Sequence, residues 1–328
     1  GLEEIDLNQV TELGGGSFMS CKSLNSVKWD HVTSVGQGCF LGCESIKELV
    51  LPQTLVSMCS DSFWNESSLE KLTVTGKDTE LLLGAFDECE NLKVIDVQAA
   101  KKVEGYLSNS TGWTLLIGND VAEIGRISGD VQSLVINGDE NLNLNQNAFN
   151  GITALKSVHI SGKVTLSDYC FSGCENLADV TFENDPAVIG RGAFAGCAKL
   201  KSVVLGDKVT EIAPAAFLNC PALNKVTVPS SVKIIGIHAF GIKAVKRVEG
   251  NRVYYDKYEP AFPKEKFKLS GYADTAAEKY AESTEGIEFI DLGGTVRSFK
   301  VTVSKSSVIY NGKSQEIGVT VKQGSKTL

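Results

Sequence analysis

The chain has 328 residues, enough for two compact domains or one long array with a sizeable core. Its 42% hydrophobic and 22% charged residues are those of an ordinary soluble protein, which excludes collagen-like and disordered classes. A net charge of -8 argues against a nucleic-acid backbone as main partner, because that affinity comes from Lys and Arg displacing counterions, and no stretch approaches the roughly 20 apolar residues of a membrane span.

The opening Gly1-Leu2-Glu3-Glu4 has neither a basic nor an apolar leader pattern, so localisation has to be read elsewhere. From Ile5-Asp6-Leu7 onward one unit recurs. Its anchor is a phenylalanine at 18, 40, 63 and 86, then at 149, 171, 194, 217 and 240, with spacings of 22 or 23 residues on either side of a 63-residue gap. Five residues before each anchor lies an apolar residue, Leu13, Val35, Met58, Leu81, Leu144, Leu166, Ile189, Ile212 or Ile235. Six residues after it, in all but the last unit, lies another, from Leu24 to Leu223.

A short alternating segment follows, as in Leu49-Val50-Leu51 or Val158-His159-Ile160, and reads as one strand per unit. Small residues around the anchor, as in Gly192-Ala193-Phe194-Ala195-Gly196, suit a tight turn or short helix on the opposite side. Between 93 and 148 the anchor is missing, yet Leu115-Leu116-Ile117 and Leu134-Val135-Ile136 supply further strands, giving two shortened coils. About twelve coils are expected, the last with a strand near Val248. One coil alone cannot bury its apolar face, so stability must come from stacking.

The stretch from Ile189 to Leu205, with Phe194, Cys197 and Leu200 at their fixed offsets, resembles the BspA-like, or treponemal-type, leucine-rich repeat. Gly271 to Ala281 is similar to the segment that closes such arrays. The resemblance implies an α/β repeat: a leucine-rich-repeat solenoid over 1–295 with a parallel sheet on its concave face, carried by a bacterial protein of the cell surface or extracellular space.

Six of the nine cysteines, Cys21, Cys43, Cys89, Cys174, Cys197 and Cys220, sit three residues after the anchor, with Glu66 and Ile152 in the same slot elsewhere. A ladder of this kind is expected to be buried packing rather than disulfides, since stacked side chains point in parallel. Cys39 with Cys43 and Cys170 with Cys174 are CxxxC pairs, which do not match the usual CxxC zinc spacing, and no metal or cofactor is expected. His31, His159 and His238 are scattered, with His159 on the sheet and the thiols across the core, so thiol catalysis is not expected either. Asp139 to Asn145 alternates oxygen ligands but has Leu144 where an EF-hand needs glycine, so Leu142 and Leu144 are expected in the core.

Near the end of the array Tyr254, Tyr255, Tyr258 and Phe262 form an aromatic cluster, expected as a capping plug, with a binding patch as the other reading. From Val296 the pattern changes to alternating strands around Phe299–Val303, Val308, Tyr310 and Ile317–Val321, with a turn at Asn311-Gly312. This run resembles the opening of a bacterial immunoglobulin-like module, so 296–328 is expected to be a short all-β segment.

Function is expected on the residue of each strand that lies between the inward apolar pair. That track includes Lys28, Val50, Thr73, Asp96, His159, Thr181, Val204 and Thr227, together with Asp6, Leu116, Val135 and Glu249. It has no paired carboxylates or basic stripe, so an enzyme is not expected. A monomeric adhesion module that holds a protein or host-surface macromolecule is one reading, and a spacer presenting immunoglobulin-like modules is the other. The track lacks aromatic platforms, which leaves a glycan-binding module behind both.

Overall fold

Alternation along Glu48–Leu51 turns Leu49 and Leu51 into the core and Val50 to solvent, and the computed structural model repeats that arrangement coil after coil. It describes residues 1–293 except 139–141, 163, 184–186, 250–251 and 263–264, and beyond them only the backbone of 299–303, 319–323 and 326–327. The strands Glu48–Leu51, Lys71–Val74, Val94–Ala100, Lys102–Val121, Glu123–Asn137, Ser157–Ser161, Asp179–Phe182 and Ser202–Val203 hydrogen-bond in chain order, every pair parallel. A bridge between Val204 and Thr227 leads on to Lys225–Thr227, Phe267–Gly271 and Ile287–Asp291, again parallel.

Most coils also hold a second strand of two or three residues at the apolar position before the anchor, as in Ser34–Val35 beside Ser57–Met58 and Glu211–Ile212 beside Ile234–Ile235. One strand per unit is therefore a correction. Two residues are too few to show alternation, so only the stacking of neighbours reveals them as strands.

The anchor rings form two stacks. Phe18, Phe40, Phe63 and Phe86 lie 4.9–5.2 Å apart between centroids, and Phe149, Phe171, Phe194, Phe217 and Phe240 lie 5.0–5.4 Å apart. That spacing is the rise of one parallel strand, so the sheet dictates near-parallel rings. On both sides of most of the rings the chain turns through left-handed backbone. Two residues after the anchor stand Ser20, Gly42, Asn65, Glu88, Gly151, Gly173, Gly196 and Asn219, all with φ between 58° and 77°. Glycine is frequent there because it alone adopts that conformation without strain.

The turn side holds turns, one 3-10 helix at Leu83–Phe86 and, among the described residues, a single α-helix at Ala276–Ser283. The α/β expectation is thus corrected to a β-solenoid. The strand expected near Val248 does not join the sheet either. Lys243 and Lys246 occupy the slots that other coils fill with Cys and Leu, so this segment has too little to bury. Ile242–Glu249 instead forms an antiparallel hairpin with Arg252–Pro260, and Val226 pairs directly with Leu269.

Phe267 then continues the ring stack at 5.9 Å from Phe240, and Tyr280 of the helix closes it edge-on. The Tyr280 hydroxyl accepts from Phe240 N at 2.8 Å and donates to Phe240 O at 2.9 Å. These residues make the plug. Tyr255 and Tyr258 are exposed on the hairpin, and of the predicted cluster only Phe262 packs against the core. In the loop expected to bury leucines, Leu142 and Leu144 are buried and Asn143 is exposed, while Asp139, Glu140 and Asn141 lie outside the described residues. In the tail, Phe299–Val303, Val319–Gln323 and Lys326–Thr327 pair antiparallel; Val296, Val308, Tyr310, Asn311, Gly312 and Ile317 lie outside the described residues.

Candidate functional site

The sheet's solvent face is one continuous row of side chains because parallel register places equivalent residues side by side. Val50 pairs with Thr73, Thr73 with Asp96, Asp96 with Leu116, Leu116 with Val135, Val135 with His159, and His159 with Thr181. Asp6 pairs with Lys28 at one end, and Val204, Thr227, Ser270 and Ile290 continue the other. Glu249 lies on the hairpin, and Ser270 takes the place expected for it.

Three zones differ in chemistry. Val50 and Val204, 56% and 70% exposed, are apolar points where large side chains stand in water. Beside Val50, Lys71 and Asp96 form an ion pair at 3.8 Å. Around His159 the face is polar and cross-linked. His159 Nδ1 and Thr181 Oγ1 share a hydrogen bond of 2.8 Å, and His159 Nε2 lies 3.4 Å from Glu183 Oε1. Ser157 donates to Ser133 at 3.1 Å, and Ser161 to Asn137 at 2.5 Å. These flanking rows, two residues before and after each track position, were not singled out in the sequence. Their serines become neighbours only once the register is known.

A hydroxyl, an imidazole and a carboxylate in line resemble the order of a nucleophilic triad. The row is nevertheless half-exposed on a sheet whose backbone N–H groups serve the ladder, so they are not aimed at a developing oxyanion. The arrangement suits hydrogen bonding to a partner surface.

The thiols sit across the core. Cys43, Cys89, Cys174, Cys197 and Cys220 donate to the carbonyls of Phe18, Phe63, Phe149, Phe171 and Phe194 at 3.1–3.4 Å, each reaching the anchor of the coil before. Burial pushes the thiols of Cys43, Cys89, Cys174 and Cys220 up to about 12, so they stay protonated donors. The cysteine ladder is therefore polar as well as packed: at these five rungs a small donor satisfies a buried carbonyl. Cys59 is exposed and Cys21 half-buried. Among the described residues no three His, Cys, Asp or Glu side chains converge on a point that could hold a metal.

Tyr254, Tyr255 and Tyr258 lie on the strand Arg252–Pro260, and two of them have contacts of their own. The Arg247 guanidinium lies 4.8 Å over the Tyr254 ring, whereas Tyr258 stacks on His238 at 4.0 Å. Among the described residues no helix is long and apolar enough to cross a membrane.

A family model described as BspA type Leucine rich repeat region matches this chain in six copies, over residues 1–111 and 128–246. No curated protein matches it. Among solved structures the chain is similar to a leucine-rich repeat protein from Bacteroides ovatus, at 23% identity and a TM-score of 0.49, covering 87% of this chain and 76% of that one. It is also similar to a leucine rich cell surface protein from Faecalibacterium prausnitzii, at 18% identity and a TM-score of 0.29, covering 71% and 78%. The pneumococcal vaccine antigen PcpA is similar at 15% identity and a TM-score of 0.34, covering 88% and 78%.

Proposed function

The chain belongs to the BspA-type leucine-rich repeat family, and from that premise we propose that it is a non-enzymatic binding module of the bacterial cell surface, holding a protein or other host-surface macromolecule on the solvent face of its sheet. One observation carries this reading: the registered row from Val50 to Thr181, flanked by exposed Val50 and Val204. A broad face with apolar anchor points around a hydrogen-bonding centre has the composition of a recognition surface rather than of a plain solvated sheet. We take this face as the concave side, and the module as a monomer that works without cofactor.

The test is to immobilise the purified chain, screen it against matrix proteins and host cell surfaces, and then replace Thr73, Asp96, His159, Thr181 and Thr227 together by alanine. Loss of about a hundredfold in affinity is expected, as for a face that contains interface hot spots. Unchanged binding to every partner found would leave the array as a spacer that presents other modules.

A further inference from the structure

Two coils in the middle of the array are short. Ile95 stands in register with Leu115, twenty residues on, and Leu115 with Leu134, nineteen on, whereas Leu72 and Ile95 are 23 apart. The missing residues come from the turn side. Leu107 pairs with Gly129 and Thr111 with Asp130, so residues 108–110 have no counterparts in the following coil. A coil that cuts its corner leaves a gap between its neighbours.

The glycines two residues after the ring slot gauge that gap. A Cβ on Gly196 would lie 3.6 Å from the Cα of Gly173, and one on Gly173 would lie 3.6 Å from the Cα of Gly151, the ordinary contact of adjacent coils. A Cβ on Gly151 would meet nothing within 4 Å. The space is a cavity of about 370 Å³, in the size range of small-molecule sites. Tyr106, Asn109 and Thr111 bound it from the coil before, Asp130 from the short coil, and Thr153 from the coil after.

Its chemistry is selective. Among the described residues no lysine or arginine lines it, so it has no charge to hold an anion. Asn109 spends its amide nitrogen on Glu88 at 2.5 Å, and Ser110 spends its proton on the carbonyl of Cys89 at 2.7 Å. The walls otherwise offer both donors and acceptors, in the hydroxyls of Thr111, Ser128 and Thr153 and the Asp130 carboxylate. Tyr106, 55% exposed, adds an aromatic surface at the rim. Groups that both donate and accept, beside a ring that can cover apolar C–H groups, match a polyhydroxylated ring, whose hydroxyls do the same. The geometry points to a neutral-saccharide subsite in this notch, on the opposite side of the core from the sheet face and independent of it.

The experiment titrates the intact chain with chitohexaose, cellohexaose, mannohexaose and maltohexaose by calorimetry and saturation-transfer NMR. At least one binds with a millimolar or tighter Kd. Tyr106→Ala weakens that binding about tenfold, the scale of one lost aromatic contact, and Thr153→Trp, which fills the notch from an exposed position, removes it. The fivefold alanine variant of the sheet face leaves it unchanged, which separates this site from the surface proposed above. The proposal is overturned if none of the four sugars binds, or if binding persists unaltered in both Tyr106→Ala and Thr153→Trp while circular dichroism shows both variants folded.

Discussion

In the coils that carry Phe63 and Phe194 the ring slot holds a fully buried phenyl group, whereas the coils of Leu107 and Ile127 fill it with aliphatic side chains, equally buried. Around Phe63 and Phe194 the corner turns through left-handed residues, Asp61 and Asn65 or Gly192 and Gly196, as it does around Leu107 at Gly105 and Asn109. The second kind encloses less volume, and its backbone runs almost without break through Lys102–Val121 and Glu123–Asn137. The inward sheet ladder passes through both kinds unchanged, from Ile95 to Leu115 to Leu134. The sheet therefore sets the spacing of the coils, and the size of the ring-slot residue sets their circumference. The notch is the consequence of changing the second while keeping the first.

That contrast can be broken first at the rings. Phe194→Ala removes a ring stacked on both Phe171 and Phe217, and a loss of about 3–5 kcal/mol is expected in chemical denaturation. Leu107→Ala, with fewer atoms to lose and no ring partners, is expected to cost about 2–3 kcal/mol. Equal costs would show that the stacks add nothing to burial.

A second lever lies within the regular coils, where Glu66 replaces the ladder cysteine. It is fully buried, its Oε1 accepts from Cys43 N at 3.1 Å, and burial pushes its carboxyl up to about 9 from 4.5. Below about pH 4.5 the folded and unfolded chains both hold this proton. Above that the unfolded chain releases it and the folded chain keeps it, so stability falls with rising pH until about 9, by at most ~1.4 kcal/mol per pH unit. Glu66→Gln should flatten that slope when unfolding is followed from about pH 5 to 9. Parallel pH profiles for the two proteins would show that the carboxyl ionises in place.

The smallest effect lies at the corners. Ala215 and Gly196 both have positive φ, at 58° and 77°. Ala215→Gly is expected to stabilise by up to about 1 kcal/mol, and Gly196→Ala to destabilise by about 1 kcal/mol, read as opposite shifts in Tm. Shifts of the same sign would mean that contacts, not backbone conformation, decide which residues stand there.

Much of this could be read from one-dimensional pattern. The Phe anchors, the apolar residues at fixed offsets and the alternation of Leu49-Val50-Leu51 specify coil length, core and solvent face together, because each is a periodic demand on neighbouring residues. The two-residue strands at Ser34–Val35 and its equivalents escaped notice because they have no internal period. The hairpin after Phe240 was signalled only by lysines at 243 and 246, where other coils hold Cys and Leu. From Val50 to Thr227 the sheet track could be named residue by residue, though not its end, where Ser270 stands in place of Glu249, nor the link from His159 to Thr181 and Glu183, whose partners are 22 and 24 positions away.

The sequence by itself determined the repeat, the buried ladder and the membership in a stacked-coil family, because these follow from local spacing alone. Only the tertiary structure decided where a coil closes short, which thiol meets which carbonyl, and where a cavity opens between coils. Those depend on the fit of one coil against the next, and that fit is a property of two segments in contact, not of either one read alone.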